Sequence, residues 1–211
     1  MNQSSAAPIS IQNDITYTFS RKPVDLQEYA KLVLEYYKKD LKLDLSRFQM
    51  SEDLHKINFN EHVLIIKDGD RIIGGSKLIF THKNSPLRLP LESDQFRVED
   101  FLPNNFGSHS YCELARLVLH PDYRSKELLT EVVDRLTNFA VQRRCGMFVL
   151  MAPPLNAILY RRICKTLDLP MQIRNDIQVT QKAAYQQLGL NLITCDLRQR
   201  LEVNRYQKIA V

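Results

Sequence analysis

The sequence lacks the spacings by which cysteine and histidine side chains bind metal ions. Its four cysteines (Cys112, Cys145, Cys164 and Cys195) stand apart from one another, and three of them lie in apolar stretches typical of small core residues. None of the five histidines is paired with a second ligand in a recognised metal-site pattern. We therefore predict no metal, no disulfide and a reducing, cytoplasmic location.

Long apolar segments are missing as well. No uninterrupted apolar stretch is long enough to span a bilayer, and the first residues lack the basic segment and apolar run of a secretory signal. Residues 1–13 are small and polar, so we expect them to be disordered. We expect residues 14–197 to form a single domain, because a chain of 211 residues with 44% hydrophobic content suits one core, and residues 198–211 to form a basic tail.

The net charge of +5 favours an acidic partner, such as a nucleic acid, a carrier protein, an anionic membrane or a phosphorylated cofactor. A mildly basic surface without a special partner accounts for the same charge. No basic run is interleaved with aromatic residues, so we do not expect a nucleic acid to be the partner. The sequence gives no indication of the oligomeric state.

Hydrophobic periodicity predicts alternating strands and helices. The predicted strands are 15–19, 63–67, 72–81, 111–120, 147–151, 172–179 and 190–197, and the predicted helices are 26–41, about 45–54, 126–144 and 155–167. Asp25 and Glu28 have the spacing of a capping box at the start of the first helix. This order predicts an α/β (α+β) domain in which helices cover both faces of a mixed sheet.

The central unit of the chain is a strand, a short loop and a helix within residues 110–136. Pro121 ends the strand because it has no N–H for the ladder, and the helical pattern begins near Lys126. A loop that ends a strand and opens a helix directs backbone N–H groups and the positive helix end at one point, which suits an anion. Arg124 lies in this loop and adds a cationic fork that fits a phosphate.

The segment HPDYR followed by a leucine-rich helix resembles the donor loop of the GNAT superfamily of N-acetyltransferases. This resemblance implies a GNAT-like, mostly antiparallel sheet and a pantetheine thioester as co-substrate. It implies that Arg124, Ser125 and Lys126 bind the donor phosphates and that a backbone N–H of Leu117, Val118 or Leu119 polarises the thioester carbonyl. Two positions that are usually glycine in that family are Glu127 and Leu129 here. Glycines allow a close approach of the pyrophosphate, so their loss argues against ordinary acetyl-CoA binding.

A second resemblance concerns the acyl-homoserine-lactone synthases and the N-acyl amino acid synthases, a GNAT branch that takes long acyl chains, often from acyl carrier protein. The motif Glu113-Leu-Ala-Arg116 is similar to their E-x-S-R strand, and Gly74 to Leu78 is similar to their G-C-x-R-L strand, with Ala115 and Lys77 as replacements. The resemblance implies that Glu113 is the base near the acceptor amine. Arg116 and Lys77 become candidates for substrate binding, and Arg116 is also a candidate for the donor phosphates. An ion pair of Glu113 with Arg116 or Lys77 is the alternative to a catalytic Glu113. On a regular strand Glu113 and Arg116 face opposite sides, which predicts two different roles for them.

The segment NAILY matches the N-x-x-x-Y pattern of many acetyltransferases, in which the tyrosine hydroxyl lies near the donor sulfur. The resemblance makes Tyr160 the candidate acid for the departing thiolate and Asn156 a donor-binding residue on the same helix face. A half-buried core tyrosine is the alternative. The long segment 83–109 supplies Phe101 as a candidate substrate contact, although its apolar residues are equally suited to anchoring the loop on the core.

Together these patterns predict an acyltransferase that moves an acyl group from a pantetheine thioester, carried by acyl carrier protein or long-chain acyl-CoA, to a small-molecule amine. Two alternatives remain open at this point. One is an acetyl-CoA-dependent N-acetyltransferase acting on a small molecule or a protein. The other is a GNAT-fold protein that has lost catalysis and binds a ligand or partner.

Overall fold

The computed structural model describes residues 14–48, 55–177, 179 and 183–209. Seven strands form one sheet in this part of the chain, in the order β1-β2-β3-β4-β5-β7-β6. The β4–β5 pair is parallel and the other neighbouring pairs are antiparallel. The strands are β1 (Ile15–Ser20), β2 (Glu61–Asp68), β3 (Arg71–His82), β4 (Ser110–Leu119), β5 (Cys145–Ala152), β6 (Met171–Ile173) and β7 (Asn191–Asp196).

Among the described residues, four α-helices flank the sheet: α1 (Pro23–Asp40), α2 (Lys126–Gln142), α3 (Pro154–Thr166) and α4 (Arg198–Ile209). The alternation along β2 shows how the two faces are covered. Val63 and Ile65 pack with α1, whereas Leu64 and Ile66 belong to the larger core that α2 and α3 cover. The predicted α/β (α+β) class with helices on both faces is confirmed.

The start of α1 differs from the prediction. The helix begins at Pro23, and Asp25 does not cap it. The Asp25 carboxylate instead accepts hydrogen bonds from the Ser20 hydroxyl (2.6 Å) and the Lys67 ammonium (2.8 Å), which lower its pKa. The capping-box prediction is wrong because a tertiary ion pair engages this carboxylate.

One other predicted element is shorter than the sequence indicated: the strand expected over 172–179 extends over Met171–Ile173. Of the helix expected near 45–54, the structure describes Leu45–Phe48, which form a 3₁₀ segment. Residues 49–54 lie outside the described part of the chain, as do residues 1–13. The segment predicted as a basic tail forms helix α4, and Arg200 in it donates to the Leu167 carbonyl at 2.8 Å.

The long segment between β3 and β4 packs on the α1 side of the sheet. Leu89, Phe96, Val98 and Phe106 are buried against β3, β4 and β5. The buried Glu92 carboxylate accepts backbone hydrogen bonds from Leu89 (2.7 Å) and Val98 (2.8 Å), so a buried acid holds the segment in shape. No helix in the described part of the chain is long and apolar enough to cross a bilayer.

Candidate active site

Strands β4 and β5 separate halfway along their length. They pair from Ser110 to Glu113, after which β5 continues to pair with β7 as far as Ala152. The second half of β4 therefore forms one side of a gap in the sheet. A gap of this kind leaves backbone groups of β4 available to a ligand, because no neighbouring strand occupies that edge.

The separation coincides with a bulge at Arg116. This residue has a positive φ of 54°, which is rare for a long side chain, and the β3–β4 register shifts between Gly75 and Lys77. The Tyr29 hydroxyl donates a 2.6 Å hydrogen bond to the Arg116 carbonyl. Gly75 allows this arrangement, because a Cβ there would lie 2.5 Å from the Leu64 carbonyl oxygen and 2.8 Å from the Tyr29 ring.

A cavity of 1110 Å³ occupies the gap and extends on both sides of it. Its wall includes the loop between β4 and α2, the first half of α3, the end of α1 and the segment around Leu91. We call the polar wall residues Lys56, Asn58, Glu61 and Lys77 the polar part of the cavity. The apolar part is the neighbouring wall with Ile79, Leu91, Met151, Val179 and Leu190, the first four of which belong to one hydrophobic cluster.

All three predicted loop residues, Arg124, Ser125 and Lys126, line this cavity. Ser125 is the N-cap of α2, and its hydroxyl accepts a 3.0 Å hydrogen bond from the Leu128 N–H. The preceding backbone amides at this helix end have no intrahelical acceptor, which makes the end a site for an anion. Arg124 donates through Nε to the Leu119 carbonyl at 2.9 Å and through Nη2 to Asp40 at the end of α1.

The two residues that replace the expected glycines behave differently. Glu127, which is among the described residues, is exposed to solvent and is not part of the cavity wall. Leu129 is half-buried and does line the cavity. Of these two replacements, only the Leu129 side chain therefore occupies space in the cavity wall.

Tyr160 and Asn156 lie on α3 and both line the cavity, as the sequence predicted. Burial, reinforced by the nearby Cys164, raises the pKa of Tyr160 to about 12. The phenol therefore stays protonated at neutral pH. Because an ordinary thiol has a pKa of about 8.5, complete proton transfer from Tyr160 to a thiolate is uphill. The raised pKa is compatible with a hydrogen bond from Tyr160 to the sulfur, and the acid role of Tyr160 stays a prediction.

Glu113 is buried, with 8% of its surface exposed, and its carboxylate accepts a 2.9 Å hydrogen bond from the Leu91 N–H. Arg116 lines the same cavity. Both charges act on the Tyr185 hydroxyl, whose pKa is raised chiefly by burial, lowered by Arg116 and raised by Glu113. The expectation that Glu113 and Arg116 face opposite sides therefore fails, because the bulge interrupts the strand alternation.

Lys77 lies in the polar part of the cavity and is 4% exposed. Its ammonium donates to Glu61 Oε2 at 3.0 Å and to the Lys56 carbonyl at 3.3 Å. Phe101 lies outside the cavity wall described here and stacks on Phe96, with ring centroids 5.7 Å apart. The prediction of Phe101 as a substrate contact is not supported, since its ring helps to anchor the long segment.

Sequence reasoning missed several residues of this site. Tyr185, Glu61 and Asp40 line the cavity together with Tyr37, whose pKa burial raises well above the usual value. None of them belongs to a local motif. Leu117, Val118 and Leu119 line the cavity as predicted. Among the described residues, no three His, Cys, Asp or Glu side chains are grouped so that they could hold a metal ion.

The comparison with protein families decides the assignment of the chain. The family model of the N-acyl amino acid synthase FeeM matches residues 29–172, which is more than half of the sequence. The chain belongs to the FeeM family of N-acyl amino acid synthases. It is therefore an N-acyltransferase. No curated protein sequence is significantly similar to it.

Solved structures confirm the GNAT fold of this FeeM-family member. FeeM from uncultured soil microbes has a TM-score of 0.59 at 12% identity, over 86% of this chain and 88% of that one. A GNAT acetyltransferase from Staphylococcus aureus has a TM-score of 0.57 at 14% identity, over 87% and 99% of the two chains. The acetyltransferase yncA from Salmonella typhimurium, solved with acetyl-CoA, has a TM-score of 0.52 at 15% identity, over 88% and 95%.

Proposed function

We propose that this protein transfers a long acyl chain from a pantetheine thioester to the amino group of an amino acid. The main observation in support of this proposal is that a single cavity, which passes through the gap between β4 and β5, contacts the cationic loop at Arg124, Tyr160 and Glu113. The membership of the FeeM family supports an amino acid as the acceptor. Acceptor and donor thereby meet in one place, which acyl transfer requires.

The loop before α2 is suited to the phosphate of the donor arm. Arg124 and Lys126 supply cationic donors, and the start of α2 supplies backbone N–H groups and the positive end of the helix dipole. A phosphate held there leaves the pantetheine arm to run along the gap towards Tyr160. The thioester carbonyl then lies beside β4, where a backbone N–H of residues 117–119 polarises it.

The chemistry needs a base at the acceptor and stabilisation of the leaving thiolate. In our proposal the Glu113 carboxylate takes a proton from the acceptor ammonium, and the free amine attacks the thioester carbonyl. The amide bond forms as the carbon–sulfur bond breaks. Tyr160 donates a hydrogen bond to the departing sulfur, which receives its proton when the amine nitrogen loses its second one. Arg116 and Lys77 are suited to the carboxylate of the acceptor, because both are cations on the cavity wall.

The apolar lining of the cavity supports a long acyl chain over an acetyl group. Besides the donor loop and the polar part, the cavity of about 1110 Å³ includes an apolar wall with Ile79, Leu91 and Met151. The apolar part lies beside Glu113, where the acyl chain would follow the carbonyl. An acetyl group would leave this apolar part empty.

The rim of the cavity supports a carrier protein as the donor. Leu155 of α3 lines the cavity and is 80% exposed. The exposed side of the same helix carries Arg161, Arg162 and Lys165, and its sequence has no acidic residue. A surface of this kind complements an acidic carrier protein.

The test is a product assay with purified protein, an amino acid mixture and three donors: acetyl-CoA, palmitoyl-CoA and palmitoyl-carrier protein. Mass spectrometry is expected to find N-palmitoyl amino acids from at least one long-chain donor and little acetylated product. An enzyme that acetylates amino acids and ignores both palmitoyl donors would overturn the long-chain assignment. Inactivity with all three donors would favour a binding protein without catalysis.

A further inference from the structure

Asp40 is the last residue of α1 and lies at the mouth of the cavity, opposite the donor loop. Its carboxylate accepts a hydrogen bond from Arg124 Nη2, and both side chains line the cavity. The C-terminal end of a helix carries a partial negative charge, so a carboxylate is unfavourable there unless a cation compensates it. Lys38 and Lys39 lie in the same last turn of α1, and Arg124, from a loop 84 residues further along the chain, contacts the Asp40 carboxylate directly.

Arg124 is held on three sides in this arrangement. Its Nε donates to the Leu119 carbonyl at 2.9 Å, its Nη2 donates to Asp40, and its guanidinium lies 5.2 Å from the centre of the Tyr36 ring. Arg124 and Lys126 are both exposed, and Arg124 is compensated by a carboxylate before any phosphate arrives. The positive charge offered to a donor is correspondingly reduced.

We propose that Asp40 is a specificity-determining residue that favours donors with a single phosphate over free acyl-CoA. The inference rests on the proposed donor site at Arg124. A phosphate that contacts Arg124 also lies close to the Asp40 carboxylate and is repelled by it. CoA brings a pyrophosphate and a ribose phosphate to this region, whereas the phosphopantetheine arm of a carrier protein brings one phosphate group. The repulsion therefore weakens CoA more than phosphopantetheine.

The size of the effect follows from Coulomb's law. A unit charge a few ångströms from a phosphate at a solvated cavity mouth changes affinity by roughly fivefold for each phosphate charge in its range. Distant charges contribute less, and salt screens them further. The discrimination between CoA and phosphopantetheine is therefore expected to shrink as the ionic strength rises.

The experiment is isothermal titration calorimetry of wild type and Asp40→Asn with CoA, dephospho-CoA and the methyl phosphodiester of phosphopantetheine at low salt, because the diester carries one charge, as the arm of a carrier protein does. The variant is expected to bind the diester about fivefold more tightly and CoA more than tenfold more tightly, because the further phosphates of CoA lie farther from Asp40 and each add less. Dephospho-CoA is expected to fall between them. An equal gain for all three ligands would overturn the proposal. So would a general loss, which would show that Asp40 serves to position Arg124.

Glu131→Gln is the matched control. It removes the same charge from an exposed pair on α2, where Glu131 accepts from Arg135 at 2.7 Å, and Glu131 is absent from the described cavity wall. Its affinities are expected to equal those of wild type, and an equal rise in CoA affinity would contradict a local effect of Asp40. Asp40→Ser repeats the test if Asp40→Asn is unstable.

The failure of the proposed function is distinguishable from the failure of this inference. Wild-type protein that binds none of the three ligands has no donor site at Arg124, which refutes both. If wild-type protein binds these ligands and the ratio of their affinities is the same in Asp40→Asn, the donor site at Arg124 is retained and the proposed role of Asp40 is refuted.

Discussion

The hydroxyl of Tyr29 on α1 donates a 2.6 Å hydrogen bond to the backbone carbonyl of Arg116, where β4 adopts a positive φ of 54°. This contact joins a helix to the point at which the central strands separate. It satisfies a carbonyl that the bulge removes from the regular ladder. The same bulge directs Arg116 to the cavity that also contains Glu113.

The first prediction concerns this hydrogen bond. Tyr29→Phe leaves the Arg116 carbonyl without its donor, so the free energy of unfolding is expected to fall by about 1 kcal/mol. Acyl transfer is expected to slow as well, because the opening at β4 loses its support. Chemical denaturation and product assays measure the two effects. Tyr17→Phe on β1 is the control, and a loss of activity there equal to that of Tyr29→Phe would contradict the proposed role.

The second prediction concerns Gly75. Its Cβ in Gly75→Ala would lie 2.5 Å from the Leu64 carbonyl oxygen and 2.8 Å from the Tyr29 ring. We expect a loss of about 3 kcal/mol or more in the free energy of unfolding, since backbone has to move. Gly107→Ala is the comparison without a clash, because no atom lies within 4 Å of its Cβ position and only its φ of +69° disfavours a side chain. Gly107→Ala is expected to lower the free energy of unfolding by about 1 kcal/mol. An equal loss in both variants would contradict a steric clash as the cause at Gly75.

The third prediction separates the two possible roles of Tyr160. Tyr160→Phe is expected to lower kcat roughly tenfold to a hundredfold, since a hydrogen bond to the leaving sulfur is lost. Because the pKa of Tyr160 is raised to about 12, wild-type activity is expected to show no ionisation of this residue between pH 7 and pH 10. Deprotonation would begin to remove the donor only as the pH approaches 12. An alkaline decline near pH 9 that disappears in Tyr160→Phe would contradict this interpretation.

The fourth prediction concerns Glu113. Glu113→Gln keeps an oxygen that can accept the Leu91 N–H but removes the base, so kcat/KM is expected to fall by about a hundredfold or more while the fold persists. Thermal unfolding tests whether the variant is folded, and steady-state kinetics measure the decrease in kcat/KM. Glu61→Gln is the comparison variant, because it removes the charge that pairs with Lys77. It is expected to affect the KM for the acceptor more than kcat. A fully active Glu113→Gln variant would refute the base assignment.

The central strand-loop-helix unit was predictable because its signals are local. The strand predicted over 111–120 is Ser110–Leu119, and the helix predicted from Lys126 begins there. The proline that ends the strand and the apolar repeat of α2 act within a few residues of chain. The family resemblance carried by Glu113, Arg124 and Tyr160 is likewise confined to short segments.

The rest of the site depends on contacts between distant residues, which periodicity does not encode. Asp40 meets Arg124 across 84 positions, and Asp25 binds Lys67 instead of capping its own helix. The bulge at Arg116 was not predictable either, because strand alternation assumes regular backbone. In each of these cases tertiary structure overrides a local pattern.

The most direct test of the account is a crystal structure with a non-hydrolysable long-chain acyl-pantetheine analogue that retains its phosphate. We predict the phosphate at Arg124 and Lys126, the sulfur position beside Tyr160 and the acyl chain in the apolar part of the cavity, against Ile79 and Met151. A complex in which the pantetheine arm avoids the gap between β4 and β5, or in which the apolar part stays empty, would contradict it.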